Sequence, residues 1–241
     1  MDRKILIVND DGIDSDGLIR LTRAALPFGE VWVVAPESQR SASSHSITLR
    51  DHLDIYPRPQ FPVEGVKAFS CSGTPADCVR AGVRGIMPYK PDVVISGINY
   101  GYNVATDIQY SGTDGAAFEG AFQGFHALAF SEEGVSCHEV TDRYLSDLLA
   151  ELIDKPLDTD NIWNVNFPGC PLSECKGVLF DRTVSHSLFF DDEYIRHEDL
   201  DNGGFRLKLN GIHNRSCEEG SDMHAVINGY VSVGVVSNTG F

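Results

Sequence analysis

Basic residues are scarce: 19 lysines and arginines stand against 35 aspartates and glutamates in 241 residues, a formal net charge of -16. No Lys/Arg stripe is present to displace counterions from a phosphate backbone, which excludes duplex DNA or RNA as a partner. No apolar run approaches the roughly 18 residues of a membrane-spanning helix, so no membrane is expected as a partner. The stretch after Met-Asp-Arg-Lys is too short for the apolar part of a signal peptide. Cysteines are few and scattered: Cys71, Cys78, Cys137, Cys170, Cys175 and Cys217 form no CxxC pair and no zinc-ligand spacing with histidine. Free thiols in a cytoplasmic protein fit this usage. No G-x-G-x-x-G follows the first apolar run, which argues against a dinucleotide-binding turn. Internal repeats and low-complexity tracts are lacking too.

What is present is alternation. Short apolar, β-branched runs at residues 5–8, 31–34, 66–69, 93–96, 127–131 and 162–165 are interleaved with amphipathic segments at 18–26, 76–86, 115–124 and 142–153. Continuous apolar strands between helices imply a doubly wound α/β core whose mostly parallel sheet is covered on both faces. From about Gly169 the pattern shortens to candidate strands at 178–184 and 205–209 among acidic and glycine-rich turns, a β-rich extension. Residues 229–236 have strand composition and are placed to return to the core. The acidic stretch 181–201 reads as a solvated loop face.

The chemistry-bearing residues follow strand ends, where open α/β sheets keep their sites. Asn9-Asp10-Asp11-Gly12 sets two adjacent carboxylates after the first strand, and their mutual repulsion is relieved by a cation or a shared proton. Capping of the next helix by one of them is the plainer alternative. Arg40-Ser41-Ala42-Ser43-Ser44-His45-Ser46 follows the second strand, so a serine oxygen can enter the same site, with His45 either a proton donor or a packed loop histidine. Ser96-Gly97-Ile98-Asn99-Tyr100-Gly101 offers an amide oxygen to a hard cation, an NH2 to phosphate, or a simple turn. Two carboxylates, a hydroxyl and an amide oxygen form an all-oxygen set that suits Mg2+ or Mn2+ better than zinc. Tyr110-Ser111-Gly112-Thr113-Asp114-Gly115 opens a helix, where unpaired N-H groups and the dipole make a phosphate cradle, although N-capping explains the same residues. Gly73-Thr74-Pro75-Ala76-Asp77 is complete as ordinary helix initiation. A calcium-binding EF-hand is excluded for residues 10–23, because Gly12 and Arg23 stand where ligands are required.

Together these segments, with His45-Ser46-Ile47-Thr48, Gly73-Thr74-Pro75-Ala76-Asp77-Cys78 and Gly229-Tyr230-Val231-Ser232, resemble the SurE (survival protein E) family of metal-dependent nucleotide phosphatases. The similarity runs in order over nearly the whole chain. It implies a Rossmann-like catalytic core over residues 1–168 and an extension over 169–241 with an oligomerisation role and a terminal strand returning to the core. It also implies a divalent cation held by Asp10, Asp11, Ser41 and Asn99, and hydrolysis of nucleoside 5'- or 3'-monophosphates. Asn99, Ser111, Gly112 and Thr113 would hold the phosphate, while Asp10 or Asp11 serves as base or nucleophile. Homodimers or homotetramers that exchange C-terminal segments are the assemblies implied. Asp114 departs from the family's apolar or small residue, and residues 180–206 do not align clearly. Two other classes fit parts of the pattern: a Mg-binding phospho-receiver module, for which the chain is too long and lacks an acceptor aspartate, and a non-catalytic nucleotide-binding protein.

Overall fold

The apolar run at residues 5–8 becomes an interior strand of a nine-stranded sheet, next to its middle strand. The structure is a computed structural model that describes residues 3–238. In chain order its elements are β1 (Lys4–Val8), α1 (Asp16–Ala25), β2 (Glu30–Pro36), β3 (Ile55–Pro57), β4 (Lys67–Cys71), α2 (Pro75–Ala81), β5 (Val93–Tyr100), α3 (Gly112–Phe122), β6 (His126–Glu132), α4 (Glu139–Leu152) and β7 (Asn161–Phe167). Then come β8 (Val178–Leu179), β9 (Phe190–Asp199), β10 (Phe205–His213), α5 (Asp222–Ile227) and β11 (Val231–Ser237).

Strand order across the sheet is β3-β4-β2-β1-β5-β6-β7-β11-β8. β4, β2, β1, β5, β6 and β7 run parallel, while β3 and β11 pair antiparallel with β4 and β7. The expected doubly wound, mostly parallel sheet is therefore present. The chain builds outward from β1 to β2 and β4, then returns to lay β5 on β1's other side. Such a reversal opens a crevice at the carboxyl ends of β1 and β5, the position where open α/β sheets bind ligands.

Alternation along β1 divides the core. Ile5 and Ile7 pack with Leu18 and Leu21 of α1 and with Leu145, Leu148 and Leu149 of α4. Leu6 and Val8 point to the opposite layer with Cys78, Val79 and Ala116 of α2 and α3. Both faces of this strand are dry, which is why its sequence shows a continuous apolar run. Thr74 caps α2 in a capping box with Asp77, as its sequence requires, and a π-helical turn at Gly82–Ile86 follows.

The C-terminal part differs in detail from the sequence reading. The acidic stretch 181–201 is no plain loop: it contains β9, which pairs antiparallel with β10 in a separate two-stranded ribbon. Nearly every residue of this hairpin is exposed, so the apolar alternation that signals a half-buried strand is absent. The strand expected over 178–184 shrinks to β8, and that expected over 205–209 lengthens to β10 because pairing with β9 carries it on. The three-residue β3 and six-residue α5 were too short to show a period. All six cysteines are free thiols, and no helix among the described residues is long and apolar enough to cross a membrane.

Candidate functional site

Gly12 fixes the first wall of the crevice. Its φ of +100° lies in the region that favours glycine, and an added Cβ would press on the backbone of Pro36 and Ser38. The turn after β1 can therefore lie against the exit of β2, where the Ile13 amide donates to Pro36 O at 2.8 Å. Asn9 braces the turn by donating to Gly12 O and Ser15 Oγ.

Within that turn the two carboxylates part. Asp10, 4% exposed, accepts the Thr113 hydroxyl on Oδ1 at 2.6 Å. It lies so close to Gly112 that a Cβ there would come within 2.9 Å of Asp10 Cβ. Burial pushes its pKa up to about 6, against the lowering effect of the Thr113 bond and with a further push from Asp11. Asp11 Oδ2 accepts the Tyr100 amide at 2.8 Å and Oδ1 accepts Gln39 Nε2 at 3.3 Å. Its pKa is also raised, mainly by burial and also by Glu132.

The other expected donors meet the same place. Gln39 Nε2 also donates to Ser41 Oγ at 2.9 Å, so one amide ties Ser41 to Asp11. A register shift in the β5–β6 pairing between Ser96 and Asn99 re-aims Asn99 at the end of β5. Its Nδ2 donates to Gly101 O at 2.9 Å, beside the Tyr100 amide that binds Asp11. On the far side, Ser111 caps α3 by accepting the Asp114 amide at 2.9 Å, and the first turn of α3 faces Asp10 with the positive end of its dipole. Asp10, Asp11, Ser41, Asn99, Ser111, Gly112 and Thr113 are thus brought to one edge of the sheet.

A divalent cation suits this donor set. It is all oxygen, and it includes two adjacent carboxylates, Asp10 buried and Asp11 half-buried, of which Asp10 has its pKa raised by burial and by the neighbouring Asp11 charge. Among the described residues no group of three or more His, Cys, Asp or Glu is placed to hold a metal. The candidate set has only two acidic members, completed by a hydroxyl and an amide.

His45 lies elsewhere. Its Nε2 pairs with Glu119 Oε2 at 2.8 Å, its ring rests on Phe122, and Arg80 donates to the other Glu119 oxygen at 2.9 Å. The His45–Glu119 hydrogen bond fastens the 40–46 loop to α3, aided by Ser44, whose amide and hydroxyl donate to Tyr110 O and Gln109 O. Thr48 anchors the loop's far end on Asp77 through both amide and hydroxyl. The sequence carried no sign of Glu119's role, because its partners come from three separate segments. Gln39, next to Arg40-Ser41, was within reach of the motif reading. Two polar groups within the segments read from the sequence are buried, which the sequence did not show. Ser43 Oγ has no partner among the described residues and adjoins Gly112. Asp114 is fully buried, with neither carboxyl oxygen in a well-formed hydrogen bond among the described residues; burial pushes its pKa well up against the lowering influence of the nearby Ser111 hydroxyl, and Asp10 and Asp222 add repulsion.

Comparison with known proteins places this architecture. The family model "Survival protein SurE" matches residues 5–188. A "5'-nucleotidase SurE" from Clostridium botulinum (strain Kyoto / Type A2) is 37% identical over 233 residues, covering 95% of this chain and 90% of the relative. One from Mesorhizobium japonicum is 38% identical over 240 residues, covering 95% and 91%. The crystal structure of the SurE protein from Aquifex aeolicus superposes with a TM-score of 0.82 at 33% identity, covering 99% of this chain and 94% of that one. With a family model matching residues 5–188 and relatives 37–38% identical over 95% of its length, the chain belongs to the SurE family.

Proposed function

We propose that the chain is a divalent-metal-dependent phosphatase that releases phosphate from nucleoside 5'- or 3'-monophosphates. The observation that carries this reading is the convergence of the ends of β1, the β2 loop, β5 and the start of α3, with Asp10 bonded to Thr113 and Asp11 to the Tyr100 amide. The 5'-nucleotidase names of relatives that align over most of the chain support the substrate class.

Asp10, Asp11, Ser41 and Asn99 hold Mg2+ or Mn2+, which when bound neutralises phosphoryl charge and acidifies water. The first turn of α3, with Ser111, Gly112 and Thr113, holds the phosphate through N-H groups and hydroxyls, and the Asn99 NH2 adds a donor. Asp10 or Asp11 acts either as base toward the attacking water or as nucleophile at phosphorus; either attack breaks the bond to the nucleoside oxygen, which leaves as a hydroxyl after taking a proton, and in the second case water then hydrolyses the acyl phosphate to phosphate and the free carboxylate. Pre-organisation is the chain's main contribution: the carboxylates are fixed by Thr113, Tyr100 and Gln39 before substrate arrives.

Residues 1–168 form the catalytic core in this reading, and residues 169–241 serve assembly into a homodimer or homotetramer. The exposed hairpin supports that role, because Tyr194 at 68% and Phe205 at 50% exposure leave apolar surface for another subunit. Free thiols support a cytoplasmic location.

The test is to incubate the purified protein with AMP and Mn2+ and measure inorganic phosphate. Release by the wild type that is abolished in Asp11→Asn supports the enzyme. Tight AMP binding without turnover would favour a nucleotide-binding module instead.

A further inference from the structure

Residues 101–111 join β5 to α3 and so link the two halves of the site, with Asn99 at one end and Ser111-Gly112-Thr113 at the other. In the middle, Asn103, Val104 and Ala105 are at most 5% exposed. Ala105 has a φ of +54°. A Cβ makes that left-handed conformation roughly tenfold less populated, so contacts from outside the segment must hold it.

Two anchors do so. The first is built from β6 and β7. Asn103 donates its amide to Asn166 Oδ1 and its side-chain NH2 to Ser131 Oγ, both at 2.8 Å, while its carbonyl accepts the Asn164 and Asn166 NH2 groups at 2.9 and 3.0 Å. Both backbone groups of Asn103 are thereby satisfied by strand-end side chains. The second anchor comes from the C-terminal extension. Asp222, 5% exposed at the start of α5, accepts the Ala105 amide on Oδ2 at 3.0 Å across 117 positions. Its Oδ1 accepts the Ser185 and Met223 amides at 2.9 and 2.6 Å. Val104 and Ala105 also pack with Met223 and Val226 of α5. From Ala105 a 3-10 turn runs to Gln109, and within it Asp107 O accepts the Ser111 amide at 3.2 Å. The direction set at Ala105 therefore carries through to the residue that caps α3.

Resting on the phosphatase reading, we propose that Asp222 is a positioning residue of the reaction: it holds Ala105 left-handed and so sets the turn that delivers Ser111, Gly112 and Thr113 to the phosphate. It touches no reacting atom. The extension thus has a task within its own subunit, apart from assembly. Asp10, Asp11, Ser41 and Asn99 all precede the Asn103 anchor, so Asp222 acts on phosphate and leaves the cation site in place.

The test uses Asp222→Asn. The amide oxygen keeps the two bonds to Ser185 and Met223 that seat α5, and the NH2 is left facing the Ala105 N-H, donor against donor. Equilibrium dialysis measures binding of Mn2+ alone and of inorganic phosphate in the presence of Mn2+, alongside kcat for AMP. In Asp222→Asn, phosphate affinity and kcat fall about tenfold while Mn2+ affinity stays within about twofold. Ala105→Gly reaches the same φ without the Cβ penalty, so adding it to Asp222→Asn restores most of both losses. General damage to the fold would weaken phosphate and Mn2+ together and would not respond to Ala105→Gly. Unchanged phosphate affinity in Asp222→Asn, equal loss of both ligands, or no rescue by Ala105→Gly overturns the proposal. Should Asp222→Asn not fold, hydrogen exchange on the wild type decides: the Ala105 amide exchanges as slowly as the amides of β5, and exchange at the rate of an open loop overturns the proposal. A wild type that binds phosphate yet releases none from AMP refutes the phosphatase reading instead, and the phosphate dialysis still decides the role of Asp222.

Discussion

Thr113, in the first turn of α3, donates its hydroxyl to Asp10 Oδ1 at 2.6 Å, joining residues 103 positions apart. The bond closes the crevice between β1 and α3. It also counters the burial that raises the Asp10 pKa. A buried bond to a carboxylate contributes on the order of 2 kcal/mol. Thr113→Val keeps the volume and removes the donor, so chemical denaturation should show a loss of about that size, with a fall in phosphate release. Unchanged stability would mean that the bond has no energetic role.

Gly112 beside it has no room to grow. An added Cβ would stand 2.6 Å from Ser43 Oγ, 2.9 Å from Asp10 Cβ and 3.0 Å from Asp10 Oδ2. Gly112→Ala must displace Asp10 or the Ser43 loop, and a misplacement of about 1 Å can cost roughly 100-fold in turnover. Steady-state assays on the folded variant check this; near-normal turnover would show that the crevice yields.

Asp114 is a stability cost built into α3. Its pKa is raised in the folded protein by burial, with Asp10 and Asp222 adding to the rise. The folded state therefore binds the proton more tightly than the unfolded one. Stability falls as pH rises from the ordinary value of 3.8 toward the raised one, and the loss stays in place above it. Asp114→Val removes the buried, unpartnered carboxyl and should stabilise the protein by about 2 kcal/mol at pH 8. The gain should be smaller at pH 4.5. Thermal melts at the two pH values measure it, and a gain that does not depend on pH would contradict this account.

Glu119 is where α3, α2 and the serine loop are tied. Burial raises its pKa, but His45 and Arg80 outweigh that and the net shift is downward. Its contribution to stability is present above the unfolded carboxylate pKa and is lost as pH falls through the lowered value. Glu119 is buried, but Arg80 is 41% exposed, so solvent screening reduces the cost of breaking the tie to about 1–2 kcal/mol. Glu119→Ala should lose that much by denaturant titration and slow turnover by loosening the loop that carries Ser41. Glu119→Gln, which keeps hydrogen bonding, should retain more of both.

The sequence made some of this legible and hid the rest for physical reasons. β1, β2 and β5 were readable because strands buried on both faces leave continuous apolar runs, and the places of Asp10, Asp11 and Asn99 follow from such strands ending at one edge. The cap of α2 was legible in Thr74, Pro75 and Asp77 because capping is local. β9 was not, since Phe190–Asp199 is exposed on both faces and exists only through its pairing with β10. The Glu119 tie and the burial of Asp114 were equally hidden. Nothing in Ser-Gly-Thr-Asp marks which acid of a helix start turns inward, and Glu119 meets His45 and Arg80 only after two crossovers have folded.

Anomalous scattering from crystals soaked in Mn2+ tests the central claim most directly. The account predicts one strong peak in the crevice, about 2.1 Å from oxygens of Asp10, Asp11, Ser41 and Asn99, and loss of that peak in Asp11→Asn. A manganese ion bound away from these residues, or touching only one of the strand ends, would contradict it.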